Sequence, residues 1–174
     1  MFGYYDFFPE VIHGIARFSY KLSAKKVQQV ILYALYGMNQ RREDFKFIDD
    51  AARLDCEVIL EFGVAESLTF NYLSKEVLDI SQKELSSQTL STLDFICIIR
   101  YYVIRGERRK PLKFDYYMLR FRFYEREGEL LVFHERGTQR IPTESLILFL
   151  IKIINNELSR RKMGSLPIGY LRSL

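Results

Sequence analysis

The feature that most constrains this 174-residue chain is the alternation of arginine with large apolar residues in MLRFRFYEREGELLVF, residues 118–133. Successive side chains of a β-strand point to opposite faces, so the alternation divides the stretch into two surfaces. One surface is apolar and is predicted to be core: Tyr117, Leu119, Phe121 and Phe123. The other is cationic and aromatic: Tyr116, Met118, Arg120, Arg122, Tyr124 and Arg126. The pattern predicts a sheet with one buried and one binding face.

Positive charge is concentrated in the same part of the chain. The net charge of the whole sequence is +4, but nine Lys and Arg residues stand against three acids between residues 100 and 126. This segment therefore carries +6 and leaves −2 for the rest of the chain. Local positive charge is typical of proteins that bind polyanions.

Hydrophobic periodicity predicts a single α+β domain over residues 1–162, followed by an irregular tail at 163–174. Two N-terminal helices are expected, one around residues 11–18 and one that begins at Ser23. Further helices are expected at 86–105 and 143–162. Strands are expected in two hairpins, 56–62 with 67–73 and 112–126 with 130–135. The sheet would then be antiparallel with four strands. Residues 76–80 are predicted to be a further strand or irregular, and residues 40–55 a charged connector.

Composition and motifs argue against several classes of protein. Cys56 and Cys97 are far apart and belong to no metal-binding pattern, so two buried free thiols are expected. The chain shows no secretory signal and no apolar run long enough for a membrane span, which favours a cytoplasmic protein. His13 and His134 are the only histidines, and no phosphate-binding or catalytic motif is present. We therefore expect no metal, no cofactor and no enzyme activity.

The cationic, aromatic face predicts non-catalytic binding of single-stranded DNA or RNA, in which cations follow the phosphates and bases stack on aromatic rings. Stacking is assigned to Tyr116 and Tyr124. Contacts to phosphate or bases are assigned to Arg120, Arg122 and Arg126. Two further cationic sets would line the approach and a second rim: Arg108, Arg109, Lys110 and Lys113, then Arg136 and Arg140.

Three alternatives remain open at this point. In the first alternative, helices cover the face and its arginines pair across the sheet with Glu57, Glu61, Glu127 or Glu129. The face would bind another protein if the chain is an interaction or regulatory assembly module. A nuclease is the remotest alternative, since Glu57 and Glu61 share a strand face on which a metal could be held. The residues around Gly137 would, on the simplest interpretation, be an ordinary link between strand and helix.

The C-terminal helix contains LILFLIKII, residues 146–154, which is apolar nearly all round. A helix on one side of a sheet needs only an apolar stripe. Ile147, Ile151 and Ile154 form a second seam, which predicts a homodimer interface. The alternative is a helix enclosed within its own domain.

The segment RFRFYEREGELLVFHERGTQRIPTESL, residues 120–146, resembles the ThermoDBP group of archaeal proteins from thermophiles. The similarity covers mainly residues 112–160 and the overall order of elements. The members of this group bind single-stranded DNA, and relatives also engage RNA. The resemblance implies a cleft of basic and aromatic residues and dimerisation through the last helix.

Overall fold

The computed structural model describes residues 2–40 and 57–174. Within these ranges the strands are β1 (Gly3–Tyr4), β2 (Gly14–Ser19), β3 (Glu57–Glu66), β4 (Thr69–Tyr72), β5 (Thr92–Arg105), β6 (Arg108–Phe123), β7 (Glu127–Arg136) and β8 (Ile168–Ser173). The helices are α1 (Ala24–Gln40), α2 (Lys75–Ser87) and α3 (Thr143–Arg160).

The strands form one eight-stranded sheet in the order β1-β4-β3-β5-β6-β7-β2-β8. Every neighbouring pair is antiparallel. The α+β class is therefore right, but the predicted architecture is wrong. The sheet has eight strands instead of four, and the chain begins with strands rather than with two helices.

Two of the predicted helices are strands, for two different reasons. In β2, Ile15 and Phe18 are spaced as on a helix, but Ala16 and Phe18 face the core as alternate residues of a strand. In β5, neighbouring residues such as Phe95 and Ile96 are both buried, because both faces of the sheet are covered there. A strand buried on both sides gives a continuous apolar run, which periodicity cannot distinguish from a buried helix.

Two further expectations about secondary structure are wrong. Residues 76–80 belong to helix α2, whose N-cap is Ser74: its side chain accepts a hydrogen bond from the backbone N of Val77 at 3.3 Å. The tail is not irregular throughout, because β8 pairs with β2 at the edge of the sheet. The predicted helix after Ser23, the hairpin of 112–126 with 130–135 and the helix from Thr143 are confirmed. The other predicted hairpin is wrong in its pairing, because β4 pairs with residues 63–66, which were predicted to link the two strands, and residues 57–62 pair with β5 instead. The connector beyond Gln40, and Cys56, lie outside the described residues.

The sheet is covered on both faces. Helices α1, α2 and α3 pack on one face, here called the core face, over side chains that include Phe62, Phe95 and Phe121. The opposite face, here called the outer face, carries a second apolar cluster that includes Ile96, Met118 and Leu131. The N-terminal segment, residues 2–12, lies on this second cluster with Tyr5 and Phe8 buried.

Helix α3 is enclosed within its own chain. The side chains of Ile147, Ile151 and Ile154 are 0%, 3% and 0% exposed in a single chain. Their burial therefore needs no second subunit, and the reason for expecting a dimer seam here is removed. Of the described helices, none combines the length and the apolarity needed to cross a membrane.

Candidate nucleic-acid interface

The hairpin of β5 and β6 extends past the described residues of its neighbours in the sheet. β3 begins at Glu57, opposite Tyr102 of β5, and β7 ends at Arg136, opposite Tyr116 of β6. Residues 102–113 thus form a two-stranded arm, and its tip, residues 103–110, continues beyond the described residues of both of these strands. All seven residues from 108 to 114 are exposed. The arm is the part of the sheet best placed to meet a large partner.

The arm carries a charge equal to that of the whole chain. Residues 105–113 contain five cations and one acid, Glu107, which gives a net charge of +4 in nine residues. The register sorts these cations by face. Arg108 is opposite Arg105, Lys110 is opposite Val103, and Lys113 is opposite Tyr101. Residues that are opposite in a ladder share a face, so these four cations line one side of the arm.

Arg109 lies on the other side of the arm and forms an ion pair with Glu57. Its guanidinium Nη2 is 2.8 Å from Oε1 of Glu57 at the start of β3. Arg100, near the root of the arm, similarly donates from Nε to Oε1 of Glu61 at 2.8 Å. Glu57 and Glu61 therefore pair with cations on the outer face and do not neutralise the cations on the other side of the arm. The four cations of the opposite side have no acid beside them on the arm except Glu107.

An aromatic cluster lies at the root of the arm on the outer face. Phe114 and Tyr116 meet edge to face, with ring centroids 5.2 Å apart. The guanidinium of Arg136 lies over the Tyr116 ring, 4.1 Å from its centroid. Phe114 is 46% exposed, although it is a large apolar residue in the middle of a strand. We call Phe114, Tyr116 and Arg136 the platform, because an exposed ring beside a guanidinium plane offers two surfaces for a base to stack on.

A buried carboxylate fixes the loop that follows β7. Asp115 is fully buried on the core face and accepts hydrogen bonds from the Tyr101 hydroxyl at 2.6 Å and from the Gln139 backbone N at 2.6 Å. His134 Nε2 lies 2.9 Å from Asp115 Oδ1, and the backbone N of Arg140 donates to Asp115 Oδ2 at 3.3 Å. Asp115 therefore ties β5, β6, β7 and the loop into one rigid corner beside the platform.

Glycine is required at the centre of this corner. Gly137 has φ of +119°, and a Cβ at this position would collide with the Asp115 carboxylate and the carbonyl of Phe114. The corner places the two flanking arginines on opposite sides of β6. Arg136 lies over Tyr116 on the outer face, and Arg140 lies 5.7 Å from the ring centroid of Tyr101 on the core side. Arg140 thus continues the line of cations that begins at Arg108.

The middle of the predicted binding face is covered. Arg120 donates from Nε and Nη2 to the two oxygens of Asp94 at 2.8 and 2.7 Å. The hydroxyl of Tyr5 is hydrogen-bonded to Asp94 and lies 3.2 Å from Arg120 Nη2, and the Phe8 ring is 4.9 Å from the guanidinium carbon. The hydrogen bonds to Asp94 raise the pKa of Arg120, and burial together with the hydrogen bond to Asp94 raises the pKa of Tyr5 to about 12.

The remaining predicted residues lie beyond this cover, at the far end of β6. Arg122 is 3.9 Å from Glu129, and Arg17 of β2 donates to the same carboxylate at 3.3 Å. Tyr124 and Arg126 are exposed in the turn, next to Glu125 and Glu127. Acids and cations are balanced here, unlike in the arm. A second ring with a guanidinium over it, Tyr170 with Arg17 at 5.2 Å, occupies the neighbouring edge.

The structure therefore divides the predicted site into two groups. Tyr116, Arg136, Arg140 and the cations of 108–113 belong to the arm and its root, whereas Arg122, Tyr124 and Arg126 are at the opposite end. Tyr124 follows Arg108 by sixteen residues, which at about 3.3 Å per residue is roughly 50 Å of extended chain. Arg120 lies between the groups and is held inside the protein.

Three residues of this region were not predicted as part of the site from the sequence. Phe114 lies two residues before Tyr116 on the same face of β6. The alternation from which Tyr116 was predicted therefore extends to Phe114 as well. Arg105 faces Arg108 across the turn, which is visible only once β5 is known to be a strand. Asp115 shares the parity of Tyr117 and Leu119, and an acid at a core position is itself a sign of a buried, hydrogen-bonded role.

No known protein family, curated protein or solved structure matches this chain. Within residues 2–40 and 57–174, no group of three His, Cys, Asp or Glu side chains is arranged to hold a metal ion.

Proposed function

We propose that this protein binds single-stranded nucleic acid, DNA or RNA, without catalysing a reaction, and that the arm and the platform form the binding site. The observation that carries the proposal is the exposed Phe114 ring, with Tyr116 and Arg136, at the root of an arm of charge +4. Unpaired bases expose their faces and need such rings, whereas bases within a duplex do not.

The two sides of the arm have different roles in binding. The Phe114 ring and the Arg136 guanidinium, which lies over the Tyr116 ring, supply stacking on the outer face. Lys113, Lys110 and Arg108 supply charge on the other side of the same strand, β6. Because no described strand pairs with this edge between residues 108 and 114, a nucleotide chain can cross it from the rings to the cations. The sheet centre around Arg120, which the alternation predicted as part of the site, lies under Tyr5 and Phe8 and takes no part in binding.

The test is fluorescence anisotropy with labelled single-stranded DNA and RNA at low salt. Phe114→Ala is expected to weaken binding about 5- to 150-fold, because stacking is worth about 1–3 kcal/mol per base. Arg136→Ala is expected to weaken binding as well. The matched control is Tyr170→Ala, which removes a similar ring under a guanidinium at the far edge and is expected to change affinity less than about twofold.

Two results would contradict the proposal. The first is an affinity that Phe114→Ala and Arg136→Ala leave unchanged, or that Tyr170→Ala lowers just as much. The second is competition by an acidic polypeptide as effective as competition by unlabelled oligonucleotide. The second result would favour the other function that the sequence leaves open, an interaction module for acidic protein partners.

A further inference from the structure

The part of the arm beyond the platform differs in chemistry from its root. From Val103 to Lys110 the arm contains no aromatic residue, and its four cations, Arg105, Arg108, Arg109 and Lys110, are all exposed. This part can bind phosphates, but it has no ring on which an unpaired base would stack. Root and tip are therefore suited to different forms of nucleic acid.

The dimensions of the tip fit a duplex groove. Past Tyr102, where β3 begins, the ribbon continues for three residue pairs, or about 10 Å at roughly 3.3 Å per residue. The major groove of B-DNA is about 12 Å wide and about 8.5 Å deep and accommodates a two-stranded β-ribbon. Arg105 and Arg108 flank the turn on neighbouring strands, so the leading end of the ribbon brings a cation from each strand.

Root and tip are joined by one strand at a fixed distance. Phe114 follows Arg108 by six residues along β6, which amounts to roughly 20 Å. A bound molecule that satisfies both parts needs an unpaired stretch at Phe114 and a paired stretch about 20 Å away. We propose that the preferred ligand is a junction, in which a duplex continues into a single-stranded tail. This inference rests on the proposed function and names its substrate class.

The experiment compares three labelled DNA probes by anisotropy: a duplex of about 12 base pairs with a tail of about four nucleotides, the same duplex without a tail, and the tailed strand alone. The tailed duplex is expected to bind at least about tenfold more tightly than either of the others. A tail of this length, about 14 Å when stacked at about 3.4 Å per nucleotide, covers the platform but does not reach the tip.

Two variants separate the contributions. Arg108→Ala combined with Lys110→Ala is expected to reduce the advantage of the tailed duplex over the single strand to less than about threefold. Phe114→Ala is expected to reduce the tailed duplex to the affinity of the blunt duplex. The charge-matched control is Lys26→Ala combined with Lys83→Ala, two exposed lysines on α1 and α2, which is expected to leave the order of the three probes unchanged.

Each other outcome has a definite meaning. Equal affinities for the tailed duplex and the single strand would overturn the junction and leave the proposed function standing. A blunt duplex that binds as tightly as the tailed one would overturn the junction, since the tail would then contribute nothing. Absence of binding to the single strand would overturn the proposed function itself.

Discussion

Arg120 and Arg122 lie two residues apart on the same face of β6, yet their surroundings assign them different roles. Arg120 is 22% exposed and makes two hydrogen bonds to the mostly buried Asp94. Arg122 is 42% exposed and is 3.9 Å from its nearest carboxylate oxygen, on Glu129. The N-terminal segment, which covers one and not the other, makes the difference.

Alanine substitution should separate these two arginines. Arg120→Ala leaves the Asp94 carboxylate without its charge partner under Tyr5 and Phe8, and we expect a loss of about 2–3 kcal/mol in the free energy of unfolding. Arg122→Ala removes a solvent-screened interaction and should cost less than about 1 kcal/mol. Urea unfolding of both variants measures the difference. Equal and small losses would show that the N-terminal segment does not hold Arg120 in the way described.

Single residues also explain why the site was predictable only in part. The alternation from Tyr116 to Phe123 correctly places Tyr117, Leu119 and Phe121 in the core. It cannot show that Met118 and Arg120 on the other face are covered by residues more than 100 positions earlier in the chain. Long-range contacts of this kind produce no periodic pattern in the sequence near β6. The sequence therefore could not show that Arg120 is covered and Arg122 is exposed.

At the scale of elements, prediction succeeded where a strand or helix has one buried side. Helix α1 and the β6–β7 hairpin show clear helical and alternating patterns and were predicted correctly. β5 is buried on both sides, and α2 is so polar that only Leu78 and Leu85 are fully inside. In β5 nearly every residue is apolar and in α2 nearly every residue is polar, so neither sequence shows a period in its hydrophobic residues. The conformation of such elements is decided by tertiary packing.

Helix α3 offers a test of the same principle. Ile151→Glu would place a carboxylate among buried side chains, so we expect a loss of at least about 3–5 kcal/mol in stability and no folded monomeric form. Leu148→Glu changes an exposed residue one turn earlier and should leave the fold intact. Circular dichroism and sedimentation measure both properties. A folded, soluble Ile151→Glu protein of lower mass than the wild type would contradict this expectation and support the predicted dimer interface.

For the molecule as a whole, burial on both faces of the sheet places four tyrosine hydroxyls and one cysteine thiol away from water. Burial and the nearby Asp115 charge raise the pKa of Tyr101 and Tyr117, and burial raises the pKa of Tyr20 and Cys97. Tyr5 joins them with a pKa of about 12. These groups stay protonated in the folded state at pH values where the unfolded chain has begun to ionise.

The folded chain should therefore lose stability in alkali. Tyrosine in an unfolded chain has a pKa of about 10, and a higher pKa in the folded state means that the unfolded state releases protons first as pH rises. The stabilising contribution is complete below about pH 9 and declines as pH rises through about 10 to 12. Urea unfolding across this range measures the decline, and Tyr5→Phe should make it shallower. A stability that stays constant up to about pH 11 would contradict the burial of these groups.

The central claim, that the arm holds a nucleic-acid backbone, is tested most directly by the salt dependence of binding. If four to six cations neutralise phosphates, the slope of log K against log salt concentration for single-stranded DNA should be about −3 to −4. Replacing Arg105, Arg108, Lys110 and Lys113 together by alanine should bring the slope close to about −1, while circular dichroism shows an intact sheet. A slope that this fourfold variant leaves unchanged, or a wild-type protein that shows no binding at low salt, would contradict the account.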